Sequence, residues 1–158
     1  LHFVRRRQRQ MCIRDSNRRD ALMLKENDLV AYGEDEVSRV QAAVASLEPN
    51  EDHAFIEIET TSAKQALTAA LAWSQHRATM GDVPLVIMLD NLGPETCKDV
   101  AAEMEELGVR EHVVLEASGG ITIEGLSEWK ESGMDVVSTS AINRGVAPLD
   151  LTMLMDGV

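Results

Sequence analysis

Residues 85–91 read LVIMLDN, five apolar residues followed by two polar ones. A short run of Leu, Val and Ile is typical of a strand that is buried on both faces. Three other apolar runs end in the same way in a polar or charged cluster, at residues 22–27 (LMLKEN), 55–59 (FIEIE) and 113–120 (VVLEASGG). Because a segment with helical features follows each of them, the chain predicts strands and helices in alternation.

The segments between these strands carry ordinary helix signals. Apolar residues recur at helical spacing, Thr61 or Ser62 is a suitable N-cap, Pro94 suits a first helical turn, and Gly108 is a favoured C-cap. Residues 147–155 are compatible with either a helix or a strand. The sequence predicts four helices, at residues 34–47, 94–107 and 122–132 and from the cap at Thr61 or Ser62 to residue 80. It predicts a fifth strand at residues 134–138.

This alternation predicts an α/β fold with a parallel sheet, because short connections and right-handed crossovers leave few other arrangements. The sheet is either open and doubly wound or part of a closed barrel. Strands buried on both faces favour the barrel, but about five strands do not close a barrel of the standard eight. We therefore expect an incomplete parallel α/β barrel.

Composition narrows the possible partners. The chain has 158 residues, enough for one domain, and no apolar run of the roughly 18–20 residues that a membrane span needs. Two cysteines make neither a disulfide framework nor a metal motif, so a cytoplasmic location is expected. Outside residues 1–20, 8 basic side chains face 25 acidic ones. We therefore expect no nucleic-acid partner and no membrane partner.

Residues 1–16 differ from everything that follows. Residues 5–9 read RRRQR, which is compatible with a nucleic-acid arm, a targeting tract or a disordered tail. Residues 11–16 read MCIRDS and resemble the translation of a sequencing adapter. We interpret residues 1–16 as a non-native leader and residues 17–158 as the C-terminal part of a longer barrel domain.

Charged and polar side chains stand at the predicted strand ends. They are Lys25, Glu59, Asp90, Glu116 and Ser118. Because the carboxyl ends of parallel strands lie on one side of the fold, we expect these residues to converge although they are distant in sequence.

Two carboxylates, Glu59 and Asp90, end neighbouring predicted strands. Such a pair is suited to holding Mg²⁺, to binding sugar hydroxyls or to acid–base catalysis, and residues alone leave these alternatives open. Glu57 lies two residues before Glu59 and should face the same side. A buried acidic pair needs a cation, and Lys25 is a candidate.

A phosphate-binding turn is predicted at Ser118, Gly119 and Gly120, where glycines let backbone N–H groups approach an anion. The next predicted strand ends in Ser138, Thr139 and Ser140. Adjacent loops late in a barrel often share a phosphate, so this second loop could add hydroxyl and backbone donors.

Five blocks together resemble the quinolinate phosphoribosyltransferases, a family also called carboxylating nicotinate-nucleotide pyrophosphorylases. The similarity extends from residue 17 to about residue 156. It implies transfer of a phosphoribosyl group from phosphoribosyl pyrophosphate to quinolinate in NAD biosynthesis, with Mg²⁺ required and a homodimer or larger assembly. The blocks are residues 24–27 (LKEN), 56–59 (IEIE), 88–91 (MLDN), 115–121 (LEASGGI) and 133–138 (GMDVVS).

The resemblance also implies roles for individual residues. Lys25 would meet the anionic ligands, Glu59 and Asp90 would lie near the ribose and the metal, and Ser118 with its two glycines would cradle phosphate. Supporting positions would be Asn27, Glu57, Asn91 and Glu116.

Four positions depart from the family pattern. Asp28 stands where the family has a histidine, and Ser140 stands where it has a glycine. The register places the family's His-Arg pair at Arg14 and Asp15, inside the doubtful leader. The resemblance implies that the native gene product is this enzyme. Because of these departures, we expect the 158-residue chain to be inactive alone.

Three other readings stay open on the sequence. One is a homologue for another pyridine or related acid, such as the molybdenum-associated relatives. Another is a degenerate, non-catalytic barrel that binds a phosphorylated ligand. The third is a phosphate-binding barrel of a different pathway.

Overall fold

The computed structural model of the protein describes residues 21–48, 53–80 and 82–144. The predicted segments 1–16 and 147–155, including Arg14 and Asp15, lie outside these residues. The strands are β1 Ala21–Leu24, β2 Phe55–Thr60, β3 Leu85–Asp90, β4 Val113–Ser118 and β5 Val136–Val137. The helices are α1 Glu26–Leu29, α2 Glu36–Ala45, α3 Ala63–Met80, α4 Pro94–Glu106 and α5 Ala141–Arg144, with 3₁₀ turns at Val30–Tyr32, Arg110–His112 and Glu124–Trp129.

The strands form one parallel sheet in the order β1-β2-β3-β4-β5. The predicted α/β class is therefore confirmed. This sequential order lacks the reversal of a doubly wound sheet and matches successive strands of an α/β barrel. Across the described residues the sheet stays open and does not close into a barrel.

The two faces of the sheet differ in chemistry. Register places Ile58 beside Ile87 and Ile87 beside Leu115, and these side chains join the core with residues of α2, α3 and α4. We call this the helix face. Side chains alternate along a strand, so Glu59, Met88 and Glu116, which are also in register, lie on the opposite face. We call that one the site face.

Helix ends are set by local sequence. Ser62 caps α3, since its hydroxyl accepts a hydrogen bond from the Gln65 N–H at 3.2 Å. Pro94 occupies the first turn of α4, where its missing N–H is not needed. Gly108 follows α4 with a φ of 66°, as a C-terminal glycine often does.

Two predicted elements are corrected. Residues 122–132 form a 3₁₀ helix over Glu124–Trp129 rather than an α-helix, and the segment contains Gly125, a poor helix former. The fifth strand is Val136–Val137, shorter than the predicted 134–138. Its start is cut back because the Asp135 carboxylate accepts the Leu115 N–H at 2.8 Å, replacing a strand carbonyl.

None of the helices in the described ranges is both long enough and apolar enough to cross a membrane.

Candidate active site

The site face carries its polar side chains towards the carboxyl ends of the strands. Glu57 and Glu59 of β2, with Glu116 and Ser118 of β4, are all buried. Asp90, at the end of β3, lies in register with Ser118 and is partly buried. The predicted convergence thus has a structural basis, since strand order and register bring these residues to one face.

Lys25 and Glu59 are in direct contact. Lys25 follows β1, which lies beside β2, and its Nζ is 2.5 Å from Glu59 Oε2. The two side chains are 14% and 9% exposed, so the ion pair is largely removed from water. Lys25, the cation proposed for the acidic side chains of β2, thus forms an ion pair with Glu59. Both charged groups therefore lie at the carboxyl ends of β1 and β2, on the site face.

The backbone of Lys25 is held by Asp28. Lys25 precedes α1, and its N–H donates to Asp28 Oδ2 at 3.1 Å, in the manner of a capping box. Asp28, which stands where the family has a histidine, thus contacts the backbone of Lys25. Asn27, the predicted supporting residue on α1, is exposed.

The ends of β3 and β4 are tied together by Asn91. Its backbone N–H donates to the Ser118 carbonyl at 2.8 Å, and its side-chain Nδ2 donates to Asp90 Oδ2 at 2.8 Å. Asn91 has a φ of 60°, a left-handed conformation that Asn tolerates better than most residues. Its tendency towards this conformation was the one signal in the sequence for such a turn.

Gly119 and Gly120 form the predicted glycine turn, with φ values of 93° and 66°. A Cβ on Gly119 would lie 2.3 Å from Asn91 Oδ1, whereas one on Gly120 would meet nothing within 4 Å. Ile121 follows as a buried anchor. A six-residue 3₁₀ helix, Glu124–Trp129, follows this turn in place of an α-helix.

The hydroxyls of the second loop point into the protein. Ser138 Oγ donates to Glu116 Oε1 at 2.5 Å, and Thr139 Oγ1 donates to the Ile121 carbonyl while accepting the Ala141 N–H at 3.0 Å. A hydroxyl has one proton to donate, so both are committed within the fold. The Ser138 N–H is committed as well, since it donates to the Ala117 carbonyl at 2.8 Å. The predicted phosphate donors are then the remaining backbone N–H groups of the two loops. Ser140 lies between Thr139 and Ala141 and is partly buried.

The predicted Mg²⁺ ligands, Glu59 and Asp90, do not form a complete metal site by themselves. The described ranges contain no group of three or more His, Cys, Asp or Glu side chains arranged to hold an ion. Glu59 already binds Lys25, and Asp90 already accepts from Asn91. However, Mg²⁺ is often held by one or two carboxylates together with substrate phosphates. These residues suit a metal that arrives with its substrate.

Comparison with known proteins places this chain in a family. Residues 16–154 match the family model described as quinolinate phosphoribosyl transferase, C-terminal domain. A probable nicotinate-nucleotide pyrophosphorylase [carboxylating] of Methanothermobacter thermautotrophicus is 30% identical over 141 residues, covering 88% of this chain and 45% of that protein. The rat nicotinate-nucleotide pyrophosphorylase [carboxylating] is 30% identical over 132 residues, covering 84% of this chain and 39% of its own length.

A solved structure of a protein with the same name as these relatives has a similar fold. The nicotinate-nucleotide pyrophosphorylase from Francisella tularensis superposes with a TM-score of 0.54 at 25% sequence identity, covering 84% of this chain and 40% of that one. The chain thus spans less than half the length of the relatives it matches. From the family match over residues 16–154, the chain belongs to the quinolinate phosphoribosyl transferase family and carries its C-terminal domain.

Proposed function

We propose that this chain provides part of an active site that transfers a phosphoribosyl group from phosphoribosyl pyrophosphate to quinolinate, forming nicotinate mononucleotide, carbon dioxide and pyrophosphate. The observation that carries the proposal is the buried Lys25–Glu59 pair at the carboxyl ends of β1 and β2, with Asp90 on the same face. The family match and the names of the relatives support the reaction.

The chemistry requires opposite charges at fixed places. The bond from ribose C1 to the pyrophosphate oxygen breaks, a new bond forms from C1 to the pyridine nitrogen, and positive charge develops on the ribose. The carboxylate on the ring carbon beside that nitrogen then leaves as carbon dioxide, and a proton from solvent takes its place on the ring carbon. Carboxylates aimed at that carbon stabilise the transition state, which is the role we propose for Glu59 and Asp90. Lys25 would bind the anionic ligands while its contact with Glu59 fixes both groups.

The phosphate of the ribosyl group would sit at the glycine turn. Gly119 and Gly120 have left-handed backbones that allow N–H groups to approach an anion without a side chain in the way. The hydroxyls of Ser138 and Thr139 would support the loops rather than bind ligand. When bound, Mg²⁺ would neutralise the departing pyrophosphate, with Glu59 or Asp90 as its protein ligand.

The test is binding of phosphoribosyl pyrophosphate with Mg²⁺ to the purified chain by isothermal titration calorimetry. Lys25→Met should weaken binding about tenfold or more, because a fixed charge near the anion is lost. Lys130→Met, at an exposed position after the Glu124–Trp129 turn, is the matched control and should bind as the parent does. Equal affinities for all three proteins would contradict the proposal.

Asp28 favours a second candidate, a homologous enzyme for a related acid with fewer negative charges. Its carboxylate lies at the Lys25 backbone, where the resemblance puts a histidine, so the local positive charge is smaller. Competition between quinolinate and nicotinate for the chain separates the two candidates. Tighter binding of quinolinate supports the first, and tighter binding of nicotinate supports the second.

We further propose a cytoplasmic enzyme that assembles as a homodimer or larger oligomer. The buried, free thiol of Cys97 is compatible with a reducing compartment. Sedimentation of the protein in solution tests the assembly.

A further inference from the structure

We infer that Asn91 is a positioning residue, which orients the Asp90 carboxylate and holds the Gly119 turn against it. The inference rests on the proposed function, because it assigns Asp90 and the glycine turn to one ligand. It adds that the two are built as a single unit across the ends of β3 and β4.

The first observation concerns the backbone of Asn91. A φ of 60° turns the chain sharply after β3, and Asn91 is the one non-glycine residue in the described ranges with a positive φ. That turn brings its N–H to the Ser118 carbonyl at 2.8 Å, immediately before Gly119. The unusual conformation therefore extends the parallel pairing of β3 and β4 by one further hydrogen bond.

The second observation concerns the side chain. Asn91 Nδ2 donates to Asp90 Oδ2 at 2.8 Å, although neighbouring residues of a continuing strand would point to opposite faces. The left-handed turn makes this contact possible. A carboxylate that accepts a fixed donor on one oxygen loses rotational freedom, which is what a ligand on the site face requires.

The third observation is the fit of Asn91 against Gly119. A Cβ on Gly119 would lie 2.3 Å from Asn91 Oδ1, 2.5 Å from Asn91 Cγ and 2.8 Å from Asn91 N. The amide group therefore occupies the space that any side chain at residue 119 would need. One amide contacts both the carboxylate and the phosphate turn, so the spacing between them is set by Asn91.

Two variants isolate the amide donor. Asn91→Gly keeps the left-handed backbone and removes the side chain, whereas Asn91→Asp keeps the shape and removes the Nδ2 donor. We expect Asp90 to hold one side-chain rotamer in the parent and to average over several in both variants, measured by NMR three-bond couplings across χ1. Unchanged couplings, in variants whose amide spectra show the parent fold, would overturn the inference. This measurement needs no ligand and stands apart from the proposed function.

Ligand binding then shows whether the positioning matters. The affinity for phosphoribosyl pyrophosphate with Mg²⁺ should fall about fivefold in Asn91→Gly, the effect of one exposed hydrogen bond to a charged group. In an Asp90→Ala background the same change should have little further effect, because Asn91 acts through Asp90. Independent, additive losses would overturn the inference. If Asp90→Ala alone leaves the affinity unchanged, the proposed role of Asp90 fails, and the rotamer measurement still decides the positioning.

Discussion

Lys25 and Glu59 depend on each other because neither side chain has much access to water. An ion pair of this kind contributes little net stability when intact, since its attraction is offset by the desolvation of both groups. Removing one partner is different, because a buried charge then loses its compensation. The pair is therefore a sensitive test of the geometry of the site.

We predict that Lys25→Met lowers the free energy of unfolding by about 3 kcal/mol, since it leaves the Glu59 carboxylate buried without this cation. The double variant Lys25→Met/Glu59→Met should recover most of that loss, because no charge is stranded. Urea unfolding of the parent, the single and the double variants measures both values. A double variant as unstable as the single one would contradict the pairing.

The glycine turn offers a matched pair of substitutions. Gly120→Ala should cost about 1 kcal/mol, the usual penalty for a left-handed alanine. Gly119→Ala should cost clearly more, because its Cβ would meet Asn91 at 2.3 Å, a contact that includes backbone as well as side-chain atoms. Thermal unfolding of the two variants gives the comparison. Equal losses would mean that Asn91 does not pack against Gly119.

At the scale of elements, sequence and structure agree where several local signals coincide. The apolar run of β3, the cap at Ser62 and the proline of α4 all mark their elements, and the predicted bounds lie within a residue or two of those observed. The fifth strand and the 122–132 segment are different. There the outcome depends on where the Asp135 side chain bonds and on a glycine within the segment, which periodicity does not reveal.

Asp135 also connects β5 to the amino end of β4. Its Oδ1 accepts from Arg110 at 2.9 Å while Oδ2 accepts the Leu115 N–H. Burial alone would raise the pKa of Asp135, but the Arg110 guanidinium and the Leu115 N–H outweigh it and hold that pKa below its ordinary value of 3.8. A carboxyl with a lowered pKa stabilises the fold above its unfolded pKa, and this contribution disappears as the pH falls through the folded value.

We therefore predict that Asp135→Asn lowers the free energy of unfolding at neutral pH by about 1 kcal/mol, a figure reduced for the partial exposure of the pair. The difference from the parent should shrink as the pH falls below about 3.8. Denaturant unfolding from pH 7 downwards measures it, with the exposed Asp82→Asn as the control. A difference that stays constant across this range would contradict the argument.

For the whole molecule, the alternation of side chains divides one sheet between two tasks. The helix face fills the core and the site face carries the charges, although both belong to the same strands. This division explains why the convergence of the site could be predicted, since it needs only strand ends and parallel order. The role of Asn91 and the inward hydroxyls of Ser138 and Thr139 could not, because they depend on a turn conformation and on which acceptor each proton finds.

The division predicts different outcomes for two adjacent residues of β3. Ile87→Ala, on the helix face, should lower the free energy of unfolding by about 3 kcal/mol, since it opens a cavity in the core. Met88 is 2% exposed, so Met88→Ala should also lower the free energy of unfolding. Because Met88 lies in register between Glu59 and Glu116, this variant should in addition weaken the binding of phosphoribosyl pyrophosphate, which Ile87→Ala should not do. Unfolding curves and calorimetric titrations are compared for both variants. If Ile87→Ala retains full stability, the assignment of faces is wrong.

The separation of the two faces has a consequence for how such a chain evolves. Neighbouring codons of one strand would be under different selection, one for packing of the core and the next for placement of charge. Helix-face positions of β2, β3 and β4 would be constrained by core packing, whereas buried site-face positions such as Glu59 would be constrained by charge pairing as well as by the ligand. A lineage could drift to a new ligand through a handful of changes on alternate residues while the rest of each strand stays under constraint for stability alone.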